Sequence, residues 1–349
     1  MARDARPHGM WRPVPLPPRA PHSAGGHGDQ PPLVAIVSPG ASTPRATMNA
    51  PLLECVRESR LFERAYLLDI PHVWLYGLDD AGQPPRLASG GGDAEDIPTV
   101  EEAVALYEAA VYELLDREPA GCRLVLVGYS MSGLFVLNLW PRLGAYARAR
   151  GRPHPAAVIV ASGTDVPSWK KALIGEFFTE AGQREAGRYE QLRRLHGPHF
   201  DVILRCTRRW CGTEPEHTTS LFNGDPAHVV ARVTDPALHF VQGIQDVVYE
   251  VADLFVHLTP PAPLADLSLA TTERDAVPAV RALCARTLPA AAHPPPARPA
   301  LILVPGDHFA VLAGDGLAAT RAAVHYYFAR IAGDVAVPLP LVASSSSKL

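Results

Sequence analysis

The sequence predicts an α/β fold, with a mostly parallel central sheet and helices on both of its faces. Two patterns and the size of the chain carry this expectation. Short runs such as "LVAIV" (33–37), "RLVLVGY" (123–129) and "ALILV" (300–304) are apolar at almost every position, as strands covered on both faces must be. Stretches with helical spacing of apolar residues lie between these runs. The chain has 349 residues, 47% of them hydrophobic and 19% charged, enough for one large α/β domain or two smaller ones.

Taken in order, residues 1–32 are rich in proline and lack an apolar core segment, so they read as a flexible arm and not a secretory signal. "LVAIV" then forms a central strand that ends in the turn "SPGAST". An apolar-periodic stretch from Asn49 to Arg60 predicts a helix, and "RAYLLDI" and "HVWLYGL" are strand candidates separated by Pro71. After the glycine-rich "LASGGGDAEDIP" comes the clearest helix, "TVEEAVALYEAAVYELLDRE", with Thr99 as N-cap and acidic residues in its first turn. Strands follow at "RLVLVGY", "AAVIVASG", "ALHFVQGIQD" and "ALILVPGDHF", and a last helix at "GLAATRAAVHYYFARIAG". The predicted core therefore spans 33–163 and 236–333. Residues 164–235 hold ten basic and ten acidic residues and no good strand, which predicts a helical cap or lid, and 334–349 form a flexible tail.

A net charge of −4 gives no electrostatic basis for nucleic-acid binding or for an anionic membrane surface. The longest apolar stretch, 124–140, is interrupted by Gly128, Ser130, Ser132, Gly133 and Asn138 and closed by Pro141. A buried strand entering a buried helix explains it, and no transmembrane segment is expected. Five cysteines at 55, 122, 206, 211 and 284 are too sparse and irregular for a disulfide framework and read as reduced thiols.

The hydroxyls and glycines of "LVLVGYSMSGLF" (124–135) stand where a strand pattern gives way to a helix pattern. Gly128-Tyr129-Ser130-Met131-Ser132-Gly133 resembles the nucleophile elbow, G-x-S-x-G, of the α/β-hydrolase family, with Ser132 where glycine is commonest. Small residues are needed because the nucleophile sits on a strained turn whose flanks crowd together. The resemblance implies the α/β-hydrolase fold and a triad in the order serine, acid, histidine. "FVQGIQDVV" then supplies Gly243 and Asp246 after one strand, and "LVPGDHFAVL" supplies Gly306 and His308 after the last.

On this resemblance Ser130 is the nucleophile, His308 its general base and acid, and Asp246 the group that orients the imidazole. The interval between Asp246 and His308 is longer than one helix and one strand require, so Asp253 and Asp266 stand as alternatives for the acid. The oxyanion hole would be made by the N–H of Met131 and an N–H from the loop after the first central strand. There Ser38-Pro39-Gly40-Ala41 keeps the glycine of the family's H-G-x but not its histidine, which points to Ala41, with Ser42 as the neighbouring alternative.

The implied activity is hydrolysis of a carboxylic ester or thioester, fatty-acyl esters and acyl-CoA included, through an acyl-enzyme. No metal or organic cofactor is implied. A hydrolase-like scaffold that binds without turnover, or an acyltransferase using the same triad, remains open on sequence. Trp169, Phe177 and Trp210 are candidates to line the substrate pocket, or else hold the cap to the core. His196, His199, Cys206 and Cys211 have spacings unlike a common zinc site and read as packing residues. Arg193, Arg194, Arg205, Arg208 and Arg209 fit either a phosphate-bearing substrate or a solvated helix face. Ser347-Lys348-Leu349 spell a peroxisomal-type address. In a eukaryotic chain it specifies an import receptor as partner and a peroxisome or glycosome matrix; otherwise the expected compartment is the cytoplasm.

Overall fold

In the computed structural model, residues 11–18, 31–38, 50–68, 100–162, 235, 237–243, 300–308 and 310–333 are described. They form seven strands and four α-helices. In chain order these are β1 (Trp11–Val14), β2 (Leu33–Ser38), α1 (Ala50–Ser59), β3 (Phe62–Leu68), α2 (Val100–Arg117), β4 (Arg123–Tyr129), α3 (Met131–Ala149), β5 (Ala156–Val160), β6 (Leu238–Gly243), β7 (Ala300–Val304) and α4 (Gly314–Ile331). A short 3-10 turn, Ala310–Leu312, leads into α4.

The strands make one sheet in the order β1-β3-β2-β4-β5-β6-β7. All neighbours pair in parallel except β1, which runs antiparallel to β3. The chain leaves β2 first towards β3 and then returns to β4 on the other side. That reversal opens a crevice at the carboxyl ends of β2 and β4, where doubly wound sheets place their ligands.

Every residue of β2 and β5, and all of β4 except Arg123, is buried, so the continuous apolar runs do mark strands covered on both faces. The helices bury single stripes: Leu52, Cys55 and Val56 on α1, Tyr107, Ala110, Val111 and Leu114 on α2, and Ala319, Ala323, Val324, Tyr327 and Phe328 on α4. Helix α1 packs on α4 and α2 on α3. The connections β2–α1–β3 and β3–α2–β4 run in opposite directions along the sheet, and the right-handed rule for such parallel crossovers puts α1 and α2 on opposite faces.

One expectation is corrected. The N-terminal arm was expected to be flexible, yet it contributes strand β1. Proline is tolerated there because an edge strand has one hydrogen-bonding side unpaired, and Pro13 lacks only a donor. Trp11 anchors the strand, with its ring edge-on to Tyr66 and the Arg117 guanidinium 4.6 Å over it. Pro141 closes the apolar stretch as a sequence feature but does not end the helix: α3 runs through it to Ala149. The helix loses one backbone hydrogen bond at Pro141, and burial of Phe135, Val136, Leu139, Trp140 and Leu143 outweighs that loss. No helix among the described residues is long and apolar enough to cross a membrane.

Candidate active site

Ser130 follows the last residue of β4 and precedes the first of α3. Its backbone has φ 55° and ψ −125°, a region that costs a non-glycine residue on the order of 1–3 kcal/mol. Two hydrogen bonds hold it there: its N–H donates to the Val160 carbonyl at 3.0 Å, and its carbonyl accepts from the Gly133 N–H at 2.9 Å. A serine before a helix ordinarily turns its hydroxyl back to cap the first turn. Ser130 makes no such cap. Its Oγ instead lies 2.8 Å from Nε2 of His308, 178 residues further on.

His308 stands on the loop after β7 and is buried. The loop's shape is local in origin. Gly306 adopts φ 114°, the Asp307 carboxylate accepts the Ala310 N–H at 2.9 Å, and the Asp307 carbonyl accepts the Val311 N–H at 3.2 Å. Gly243, at the end of β6, explains why that strand closes on the loop. A Cβ there would collide with the Gly306 carbonyl oxygen and come within 2.8 Å of Val311.

The small residues of the elbow are crowded to different degrees. Gly128 does face a crowded turn, since a Cβ on it would stand 3.1 Å from the Gly133 nitrogen. The tightest position is Gly133 itself, where a Cβ would lie 2.6 Å from Cβ and Oγ of Ser162 and 2.8 Å from Ile159. Ser132 is more than a small stand-in for glycine. Its buried hydroxyl accepts the Tyr129 N–H at 2.9 Å and lies 2.8 Å from the carbonyls of Ser38 and Tyr129, which share its single proton. Tyr129 was not singled out by sequence reasoning. Its hydroxyl donates to the His308 carbonyl at 2.6 Å and its ring stacks on the imidazole, 5.4 Å between centroids and 25° between planes.

The structure thus brings together Ser130 and His308, the pair expected to carry the chemistry. Met131 opens α3, so its N–H belongs to the helical turn that has no intrahelical acceptor. Asp246, Asp253, Asp266, Ala41, Ser42, Trp169, Phe177 and Trp210 lie outside the described residues. So do the His/Cys group of 196–211, the arginines of 193–209, residues 164–234 of the expected cap, and the tail with Ser347-Lys348-Leu349. Of the expected cap, the last residue, Asp235, is described. Its carboxylate accepts Trp140 Nε1–H of α3 at 2.8 Å and the Ala237 N–H at 2.9 Å, which ties it to the core.

A serine hydroxyl in contact with a neutral imidazole nitrogen, beside a helix N-terminus, can lose its proton as it attacks an electrophilic carbonyl. No protein-family model matches the sequence, and no curated protein matches it. Among solved structures, the chain is similar to a Vlm2 thioesterase domain bound with a dodecadepsipeptide. The two are 14% identical with a TM-score of 0.45, over 86% of this chain and 94% of that one. It is also similar to a protein of unknown function from Staphylococcus aureus subsp. aureus Mu50, with 9% identity and a TM-score of 0.48 over 92% and 94% of the two chains. A third is EstE5, soaked with p-nitrophenyl butyrate, with 16% identity and a TM-score of 0.41 over 90% and 80%. The fold is that of the α/β-hydrolases. The chain's own sheet order and the strand-turn-helix at Ser130 carry that assignment.

Proposed function

We propose that the protein is a serine hydrolase that cleaves a carboxylic ester or thioester through an acyl-enzyme. The observation that supports this reading best is the 2.8 Å contact between Ser130 Oγ and His308 Nε2, made from a strained backbone at the carboxyl end of β4. In the proposed reaction, Nε2 takes the hydroxyl proton as Oγ bonds to the substrate carbonyl carbon. The resulting oxyanion is held by the Met131 N–H and, from the loop after β2, the Ala41 N–H. Collapse expels the alcohol or thiol, which receives its proton from His308. A water then gives its proton to the same nitrogen and attacks the acyl-enzyme, releasing the acid and restoring Ser130. Asp246 is the proposed partner that orients the imidazole and stabilises its cation. Trp169, Phe177 and Trp210 are the proposed apolar contacts of the acyl chain.

Labelling with a tagged fluorophosphonate tests the reading. The full-length protein should be modified stoichiometrically at Ser130. Ser130→Ala should abolish labelling, and His308→Ala should slow it by about 100-fold or more. A folded protein that takes up no label at Ser130 is a binding scaffold, and the proposal fails. Ester and acyl-CoA panels of graded acyl length would then fix the substrate.

A further inference from the structure

Tyr129 is the residue immediately before the nucleophile, and its side chain is almost wholly buried, at 1% exposure. A buried phenol needs a partner for its hydroxyl, and this one has found the main chain of the residue that carries the base. The 2.6 Å bond to the His308 carbonyl fixes where the histidine's backbone sits. The stacked ring, 25° from parallel, fixes the plane of the imidazole. One side chain therefore restrains both the position and the rotation of His308. The restraint is anchored one peptide bond from Ser130.

The loop contacts of Asp307, Gly243 and Gly306 described above act in other directions. The Asp307 contacts to Ala310 and Val311 shape the loop towards α4. The close approach of Gly243 and Gly306 ties it to β6. Neither reaches β4, where the hydroxyl that His308 must meet is located. A proton transfer between Oγ and Nε2 is sensitive to displacements well under 1 Å, so a direct tie between the two carriers has a chemical consequence.

We propose that Tyr129 is a positioning residue for the reaction. Its hydroxyl and ring hold the His308 imidazole in register with Ser130, and it touches no substrate itself. The inference rests on the reading of Ser130 and His308 as the reacting pair, and it assigns a dependence that this reading does not require.

Tyr129→Phe removes the hydroxyl and keeps the ring, and Tyr129→Leu removes both. Each is compared with the wild-type chain in fluorophosphonate labelling and in hydrolysis of p-nitrophenyl butyrate, with kcat counted per labelled Ser130 so that any unfolded fraction drops out. Tyr129→Phe should lower the labelling rate and kcat by about 10-fold, and Tyr129→Leu by about 100-fold, with KM within about twofold in both. The ordering matters, because the conservative variant should recover part of what the leucine loses. Wild-type rates in Tyr129→Phe, or a loss confined to KM, would overturn the positioning role and leave the catalytic reading intact. Absence of labelling in the wild-type chain would overturn both.

Discussion

The Ser132 hydroxyl lies 2.8 Å from the carbonyl oxygen of Ser38, so the first turn of the helix behind the nucleophile is bonded to the end of the neighbouring strand β2. Ser132 Oγ also accepts the Tyr129 N–H. A glycine at position 132 can make neither bond. The elbow of this chain is therefore held by a side chain in addition to backbone crowding.

Replacing Ser132 by alanine or glycine should destabilise the fold by about 1–3 kcal/mol, because the Ser38 carbonyl and the Tyr129 N–H each lose a buried partner. Glycine should be the worse of the two, since it adds backbone freedom inside a helix. Urea denaturation of the two variants measures the difference. An unchanged midpoint would mean that the hydroxyl contributes nothing to stability.

Gly133 supplies a second expectation. Its missing Cβ is what lets α3 approach β5, where Ser162 and Ile159 lie within 2.8 Å of the place a methyl group would occupy. Gly133→Ala should cost roughly 1–3 kcal/mol by overpacking, against the usual gain for alanine in a helix. Adding Ser162→Gly should recover part of the loss, since it removes two of the three clashing atoms. A cycle of the two single variants and the double variant, read by thermal melting, decides it. Strict additivity would place the strain elsewhere.

His239 sets a pH dependence. It lies on β6 with its ring stacked on Tyr327 at 4.7 Å, and its Nδ1 is buried with no hydrogen-bond partner among the described residues. Burial pushes its pKa down to about 4; Arg123 and Arg330 add to the shift and Asp235 opposes it. The unfolded chain takes up this proton near pH 6.5 and the folded chain only near 4. The contribution is therefore fully present above about pH 6.5, and it is lost as pH falls towards 4, in total on the order of 3 kcal/mol. His239→Phe should flatten the fall of melting temperature across that window while leaving the other histidines in place. Parallel curves for the two proteins would mean that His239 is protonated in the fold.

Local pattern made much of this legible in the sequence. The buried strands β2, β4, β5, β6 and β7 announce themselves as short apolar runs, because a strand covered on both faces has no polar side to show. Helices α1, α2 and α4 show their stripes for the same reason. Ser130 and His308 could be named because the small residues and turns around them are requirements of the adjacent backbone, written within a few positions of each residue.

Partners distant along the chain are another matter. Nothing near Tyr129 signals that its hydroxyl meets residue 308, and nothing near Ser132 signals that it holds the carbonyl of residue 38. The edge strand at Trp11 escaped notice because its prolines mark an irregular segment by composition, and only the vacant side of β3 turns that segment into a strand. The amino-acid order by itself determined which central segments form buried strands and helices and, through the resemblance of two short motifs, which hydroxyl and imidazole stand at strand ends. Only the folded sheet decided their 2.8 Å meeting and the residues that restrain it, because a contact across 178 residues depends on strand order and crossover direction, which no local stretch of chain encodes.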